Sequence, residues 1–97
     1  MNVIRHVMFH GRVQGVGFRA FVEHVAGLRH LEGWVRNRRS GAVEAVLSGE
    51  AADVEQVIEA CRKGPPSARV DRVDQREATP GELSLRDREA FAVLATV

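Results

Sequence analysis

The spacing of hydrophobic residues changes several times along the chain, and each change predicts a new element of secondary structure. Val3 to Phe9 carries apolar residues on both faces, which predicts a strand in the interior of a sheet. After a glycine-rich stretch, apolar residues recur every three or four positions and predict an amphipathic helix. The stripe expected to face the core consists of Phe18, Phe21, Val22, Val25 and Leu28.

The next segment predicts a β-hairpin. Trp34 to Arg38 is extended in character, and Ala42 to Leu47 resumes an alternating pattern after a short polar link. Gly41 lies in that link, where a hairpin needs a residue that accepts the left-handed conformation.

A second helix and two further strands are expected in the rest of the chain. Ala51 to Cys61 has helical spacing, and the sequence Gly64-Pro65-Pro66 ends that helix. Val70 to Glu77 is extended but irregular, which indicates a strand that contains a bulge or lies at an edge. Ala78 to Glu89 has the composition of a loop. Phe91, Val93 and Ala95 suggest a short final strand.

This order of elements predicts one fold. Strand, helix, strand, strand, helix, strand is the order of the ferredoxin-like βαββαβ sandwich, an α+β fold with two helices on one face of an antiparallel sheet. A short extra C-terminal strand is added to it. Because 97 residues provide one core and little more, we expect a single domain over residues 1–97.

Composition and charge narrow the classes of partner. The formal net charge is +1, too small to indicate a nucleic-acid surface, although the excess of arginine in the first half favours small anions. No apolar run is long enough for a membrane helix, and the N-terminal residues do not read as a signal peptide. We therefore expect a cytoplasmic monomer without nucleic-acid or membrane partners.

The cysteine and the histidines have ordinary explanations. Cys61 lies on the apolar face of the second helix, which predicts a buried, unreactive thiol. His6 and His10 share a strand face but are too far apart to hold a metal without a third ligand. Solvated or hydrogen-bonded histidines are the commoner case, so no metal is expected.

The residues from Gly11 to Arg19, Gly-Arg-Val-Gln-Gly-Val-Gly-Phe-Arg, form the stretch richest in chemistry. They connect a strand to a helix, and their glycines allow positive φ and a close approach to a ligand. The first N–H groups of the helix favour an anion, and Arg19 adds a planar cation suited to phosphate oxygens. A solvated Arg19 is the alternative, and a hairpin residue such as Asn37 often bonds only to local backbone.

Two nucleotide-binding patterns also match this stretch, and their contexts do not fit. Gly15 to Ala20 satisfies the G-x-G-x-x-G/A dinucleotide pattern, but an antiparallel hairpin follows instead of a parallel strand. Gly15 to Phe21 imitates an RNA-recognition strand, yet its aromatic residues Phe18 and Phe21 are assigned to the helix core and not to an open sheet face.

The chain resembles the acylphosphatase family from Gly11 onward. The family signature G-x-V-Q-G-V-G-F-R is complete from Gly11 to Arg19. The likeness continues with matching spacing through Gly33-Trp34-Val35-Arg36-Asn37, Gly41, Val43-Glu44, Gly49 and Gly64-Pro65. Two departures are Ser40, where the family usually has Asp, and the tail Leu94 to Val97.

This resemblance implies the same ferredoxin-like fold and a role for each site residue. It implies that Arg19 binds the phosphate and that Asn37 places the attacking water. The phosphate-binding set is Arg12, Val13, Gln14, Gly15, Val16, Gly17, Phe18 and Arg19.

The implied activity is hydrolysis of the carboxyl-phosphate anhydride of small acyl phosphates, with inorganic phosphate as product and inhibitor. A carboxylate of pKa roughly 4 leaves without a proton, so no general acid is expected. Arg19 and the N–H donors of the turn can supply the charge stabilisation, so no metal or other cofactor is expected. The contrasting interpretation is a non-catalytic, anion-binding module with the same fold.

Overall fold

The computed structural model describes all 97 residues. Five strands and three short or medium helices follow one another along the chain. Their bounds are β1 Asn2–Arg12, α1 Phe18–Leu28, β2 Glu32–Asn37, β3 Val43–Glu50, α2 Ala51–Lys63, β4 Arg69–Glu77, α3 Pro80–Leu83 and β5 Phe91–Val93, with a 3₁₀ turn at Ser84–Arg86 between α3 and β5.

The strands form one sheet in the order β4-β1-β3-β2-β5. β1 pairs antiparallel with β3 and β4, and β2 pairs antiparallel with β3, so β1 is an interior strand as predicted. The extra strand β5 runs parallel to β2, which makes the complete sheet mixed. The ferredoxin-like βαββαβ prediction is confirmed, with β5 added at the edge beyond β2.

The main core lies between the sheet and the helices α1 and α2. Phe9 and Phe18 meet there edge to face, with ring centroids 5.1 Å apart. The buried residues of α1 are Phe18, Val22 and Ala26, whereas Leu28 is 67% exposed, so its assignment to the core was wrong. At about 100° per residue, Leu28 lies roughly 120° around the helix from Val22 and points away from the sheet.

A smaller core covers the opposite face of the sheet. Trp34, Val46 and Ala92 are buried there, and the Trp34 indole Nε1 donates to the Glu82 carbonyl oxygen at 2.7 Å. The segment 78–89, expected to be a loop, instead contains α3 and the 3₁₀ turn. Thr79 and Glu82 form a capping box around Pro80 at the first helical positions, which explains why this short polar segment is ordered.

Strand β4 has both features that the irregular sequence suggested. It lies at an edge of the sheet, and its register with β1 shifts between His10 and Gly11. Gly11 has φ +127°, and a Cβ at this position would lie 2.2 Å from the Arg69 carbonyl oxygen. The close approach of the two strands therefore requires glycine at Gly11.

The hairpin and the tail also have defined contacts. Gly41 has φ +101° and donates from its amide to the Arg38 carbonyl oxygen, while the Ser40 hydroxyl accepts from the Ala42 amide. Beyond β5, the Val97 amide donates to the Asn37 carbonyl oxygen at 3.3 Å, and Ala95 lies outside the strand. None of the helices has the length and apolar character needed to cross a membrane.

Candidate active site

The glycine-rich turn leads directly into α1 and leaves its backbone amides free. Gly15 and Gly17 have φ +74° and +78°, and Gly17 occupies the N-cap without any side-chain cap. The amides of residues 14–20 donate no backbone hydrogen bond. The first amide that does so is that of Phe21, which donates to the Gly17 carbonyl oxygen. Free amides at a helix N-terminus are donors available to an anion.

Arg19 lies in the first turn of α1 and lines a pocket together with Asn37. The pocket has a volume of about 300 Å³. Arg19 is partly buried and forms no ion pair within the protein. The residues that line the pocket are Val13, Gly15, Gly17, Phe18, Arg19, Ala20, Glu23, Asn37 and Val93. The fold thus brings the two predicted catalytic side chains into one pocket.

Asn37 is the last residue of β2, and its amide oxygen is unusual. The Oδ1 atom is buried and has no hydrogen-bond partner in the protein. A buried acceptor without a partner is costly, and such atoms are few in folded proteins. The side chain is therefore poised to accept a hydrogen bond from a water or a ligand.

The cradle residues predicted from the signature divide into two groups. Val13, Gly15, Gly17, Phe18 and Arg19 line the pocket, whereas Arg12, Gln14 and Val16 do not. Gln14 donates from its Nε2 to the carbonyl oxygens of Arg38 and Ala42, at 2.7 and 2.8 Å. The Val16 carbonyl oxygen accepts from the Ser67 hydroxyl, and Arg12 is exposed at the end of β1.

A buried carboxylate supports the strand that carries Asn37. Glu44 on β3 accepts hydrogen bonds from Arg36 at 2.7 Å and Arg38 at 3.1 Å, the residues on either side of Asn37. It also shares a hydrogen bond of 2.7 Å with His6. Burial alone would raise the pKa of Glu44, but the hydrogen bonds from His6, Arg36 and Arg38 outweigh it and place that pKa below its ordinary value.

The sequence matches the model of a known protein family. The family model described as Acylphosphatase matches residues 5–89. This chain belongs to the acylphosphatase family. A curated acylphosphatase from Bradyrhizobium diazoefficiens is 54% identical over 97 residues, which cover 99% of this chain and 98% of that protein.

Solved structures show the same acylphosphatase fold. The crystal structure of acylphosphatase from Bacillus subtilis aligns with a TM-score of 0.83 at 35% identity, covering 97% of this chain and 99% of that one. Full-length HypF, crystallised in a phosphate- and nucleotide-bound form, aligns with a TM-score of 0.83 at 32% identity. That match covers 99% of this chain and 12% of HypF, so the fold also occurs within a much larger protein.

The remaining candidate residues of this chain lie outside the pocket. His6 contacts Glu44, and His10 lies 3.0 Å from Asp74, so both histidines are hydrogen-bonded to carboxylates, as expected for the ordinary case. Cys61 is buried on α2 as predicted, and burial raises the pKa of its thiol to about 12.

Three pocket residues were not anticipated from the sequence. Ala20 and Glu23 belong to α1, and Val93 belongs to β5. Glu23 follows Arg19 by four positions, a helical spacing that places two side chains on one face, so the sequence did carry a signal for it. The sequence carried no such signal for Val93, because the position of β5 beside β2 depends on a pairing of only three residues.

Proposed function

We propose that the acylphosphatase activity of this chain is carried out in the pocket between the Gly15 turn and Asn37. Arg19 and the free amides of the turn hold the phosphoryl group, and Asn37 holds the attacking water. The observation that carries this proposal is that Arg19 and Asn37, which come from different elements, line the same pocket.

The proposed reaction requires few catalytic groups. The water oxygen forms a bond to phosphorus while the bond from phosphorus to the carboxyl oxygen breaks, and its electron pair leaves with the carboxylate. Both protons of the water stay with the phosphoryl oxygens, which gives dihydrogen phosphate. Phosphoryl transfer depends mainly on positioning and on stabilising the charge of the equatorial oxygens.

The charges around the pocket suit these roles. The unpaired guanidinium of Arg19 can contact two phosphoryl oxygens at once, and amide donors strengthen as negative charge develops. The buried, unpartnered Oδ1 of Asn37 is an acceptor for a proton of the water. Because the carboxylate leaves unprotonated, this mechanism requires no general acid. Arg19 and the amides of the turn provide the charge stabilisation, so the mechanism requires no metal.

A non-catalytic binding module is the alternative, and the relatives do not favour it. The curated acylphosphatase from Bradyrhizobium diazoefficiens has nearly the same length as this chain and matches it from end to end. The pocket also retains both side chains that the proposed chemistry uses. We further infer that the chain acts as a monomer and is inhibited competitively by inorganic phosphate.

The test is hydrolysis of synthetic benzoyl phosphate in the presence of a chelator. The wild type should turn over the substrate with EDTA present, and Arg19→Ala and Asn37→Ala should lose most of that turnover. Arg88→Ala and Asn2→Ala are matched controls, because both residues are exposed and lie outside the pocket. Loss of turnover on chelation would contradict the proposed mechanism, and unchanged turnover in Arg19→Ala would contradict the site.

A further inference from the structure

The pocket is lined by two chemically different sets of residues, which we call its two ends. One end consists of the glycine turn with its free amides and Arg19, which suit a phosphate. The other end consists of Ala20, Glu23 and Val93, whose side chains carry no donor for an anion. An acyl phosphate has the same two-part character, which matches its phosphoryl group to the first end and its acyl group to the second.

Glu23 is the charged residue of the second end. It is exposed on α1 and forms neither an ion pair nor a side-chain hydrogen bond within the protein, unlike Glu59, which pairs with Arg62 on α2. It lies four positions after Arg19, a rise of about 6 Å along the axis of α1. Its carboxylate is thus an uncompensated negative charge beside the path of the acyl group.

We propose that Glu23 sets the charge specificity of the acyl group, which rests on the proposed function of this pocket. Acyl phosphates with a neutral or positively charged acyl group are preferred, and those that carry a second carboxylate are disfavoured. The apolar surfaces of Ala20 and Val93 complete this end and accept the hydrocarbon part of the acyl group. Glu23 is a specificity residue and takes no part in bond breaking.

Two features make this selection effective. The proposed function assigns Arg19 to the phosphoryl group, so Arg19 would not be free to neutralise a second carboxylate. The pocket is partly enclosed by Phe18 and Val13, which are buried, and low-dielectric walls strengthen the interaction between charges in the pocket. For charges about 8 Å apart in an effective dielectric of about 40, Coulomb's law corresponds to about a fivefold effect on the rate.

The experiment compares acetyl phosphate with succinyl phosphate, which differ in the second carboxylate. For each variant the ratio of kcat/KM for acetyl phosphate to kcat/KM for succinyl phosphate is measured at low ionic strength. We expect the ratio to fall about fivefold in Glu23→Gln and further in Glu23→Lys. The charge of the phosphoryl group is common to both substrates, so its interaction with residue 23 cancels from the ratio. Added salt should reduce the difference between wild type and variants, because exposed charges are screened.

Glu55→Gln is the matched control, since it removes the same charge from an exposed position on α2, away from this pocket. It should leave the ratio at the wild-type value. An unchanged ratio in both Glu23 variants overturns the inference while acetyl phosphate hydrolysis still supports the proposed function. A large, equal loss on both substrates also overturns it, because that would place Glu23 in the chemical step. Failure of the wild type to hydrolyse acetyl phosphate would instead contradict the proposed function itself.

Discussion

The side chain of Gln14 is hydrogen-bonded to the backbone of Ala42, with 2.8 Å between Gln14 Nε2 and the Ala42 carbonyl oxygen. The same Nε2 donates to the Arg38 carbonyl oxygen at 2.7 Å. Gln14 belongs to the glycine turn, and Arg38 follows Asn37 directly. The two halves of the proposed site are therefore joined by one side chain that does not itself line the pocket.

Replacement of Gln14 by alanine should uncouple these halves. We expect Gln14→Ala to lower kcat for benzoyl phosphate about tenfold. It should also cost about 1–3 kcal/mol of stability, because two hydrogen bonds are lost although each carbonyl oxygen keeps a backbone donor. Steady-state kinetics and urea unfolding measure both effects. Gln56→Ala, an exposed glutamine of α2, should change neither. A Gln14→Ala protein with wild-type kcat would show that the turn holds its position without this link.

Arg19 and Asn37 should differ in their effects on phosphate binding. Arg19→Ala removes the cation and should abolish measurable binding of inorganic phosphate, whereas Asn37→Ala should bind phosphate and lose about 10²-fold in kcat. NMR titration with phosphate, followed at the amides of the glycine turn, separates these cases. Equal binding defects in the two variants would contradict the role proposed for Asn37.

Gly17 provides a test of the backbone geometry of the turn. A Cβ on Gly17 would contact no atom within 4 Å, but φ +78° is unfavourable for alanine by about 1 kcal/mol. We expect Gly17→Ala to be slightly destabilised and to bind phosphate more weakly, because relief of the strain moves the amides. Gly27→Ala, also without close contacts but at helical φ, should be more stable by about 0.5–1 kcal/mol. Thermal unfolding and phosphate titration test both variants.

Glu44 should make stability depend on pH in the acid range. Its pKa lies below 4.5 in the folded protein, so the unfolded chain binds the proton more readily and stability rises with pH between the two values. The contribution is complete above about pH 4.5 and is lost as the pH falls through the folded pKa. Glu44→Gln should cost about 3 kcal/mol at neutral pH and flatten the acid part of the curve. Urea unfolding at several pH values measures this, and an equally steep acid limb in the variant would refute it.

Cys61 should be inert while the protein is folded. Burial raises the pKa of the thiol to about 12, so almost no thiolate is present at pH 8. We expect a disulfide reagent to label Cys61 only in denaturant, at a rate that follows global unfolding. Rapid labelling of the native protein would mean that α2 opens locally.

The elements that could be predicted from sequence are those with a long periodic signal. β1, α1, the hairpin and α2 follow from apolar spacing, and the signature around Gly15 located the turn at the pocket. Leu28 was wrongly assigned to the core because the five predicted apolar residues span a wide arc of the helix surface. Ala26 occupies the buried position instead. α3 was missed although Thr79, Pro80 and Glu82 are capping residues, because the segment has no apolar periodicity.

The parts of the site that escaped prediction depend on tertiary contacts. Glu44 looks like an ordinary strand residue, and only the approach of His6, Arg36 and Arg38 makes it a buried centre of hydrogen bonds. Val93 reaches the pocket through the parallel pairing of β5 with β2. Such pairings place residues together that are distant in sequence, and no local pattern encodes them.

The two edge strands of the sheet are poor partners for a strand of a neighbouring molecule. The edge strand β4 carries alternating arginine and aspartate residues at Arg69, Asp71, Arg72 and Asp74, and the opposite edge strand β5 is only three residues long. An incoming strand would have to desolvate charges at the first edge and would gain few hydrogen bonds at the second. Both edges thus disfavour the intermolecular strand addition that starts fibre formation.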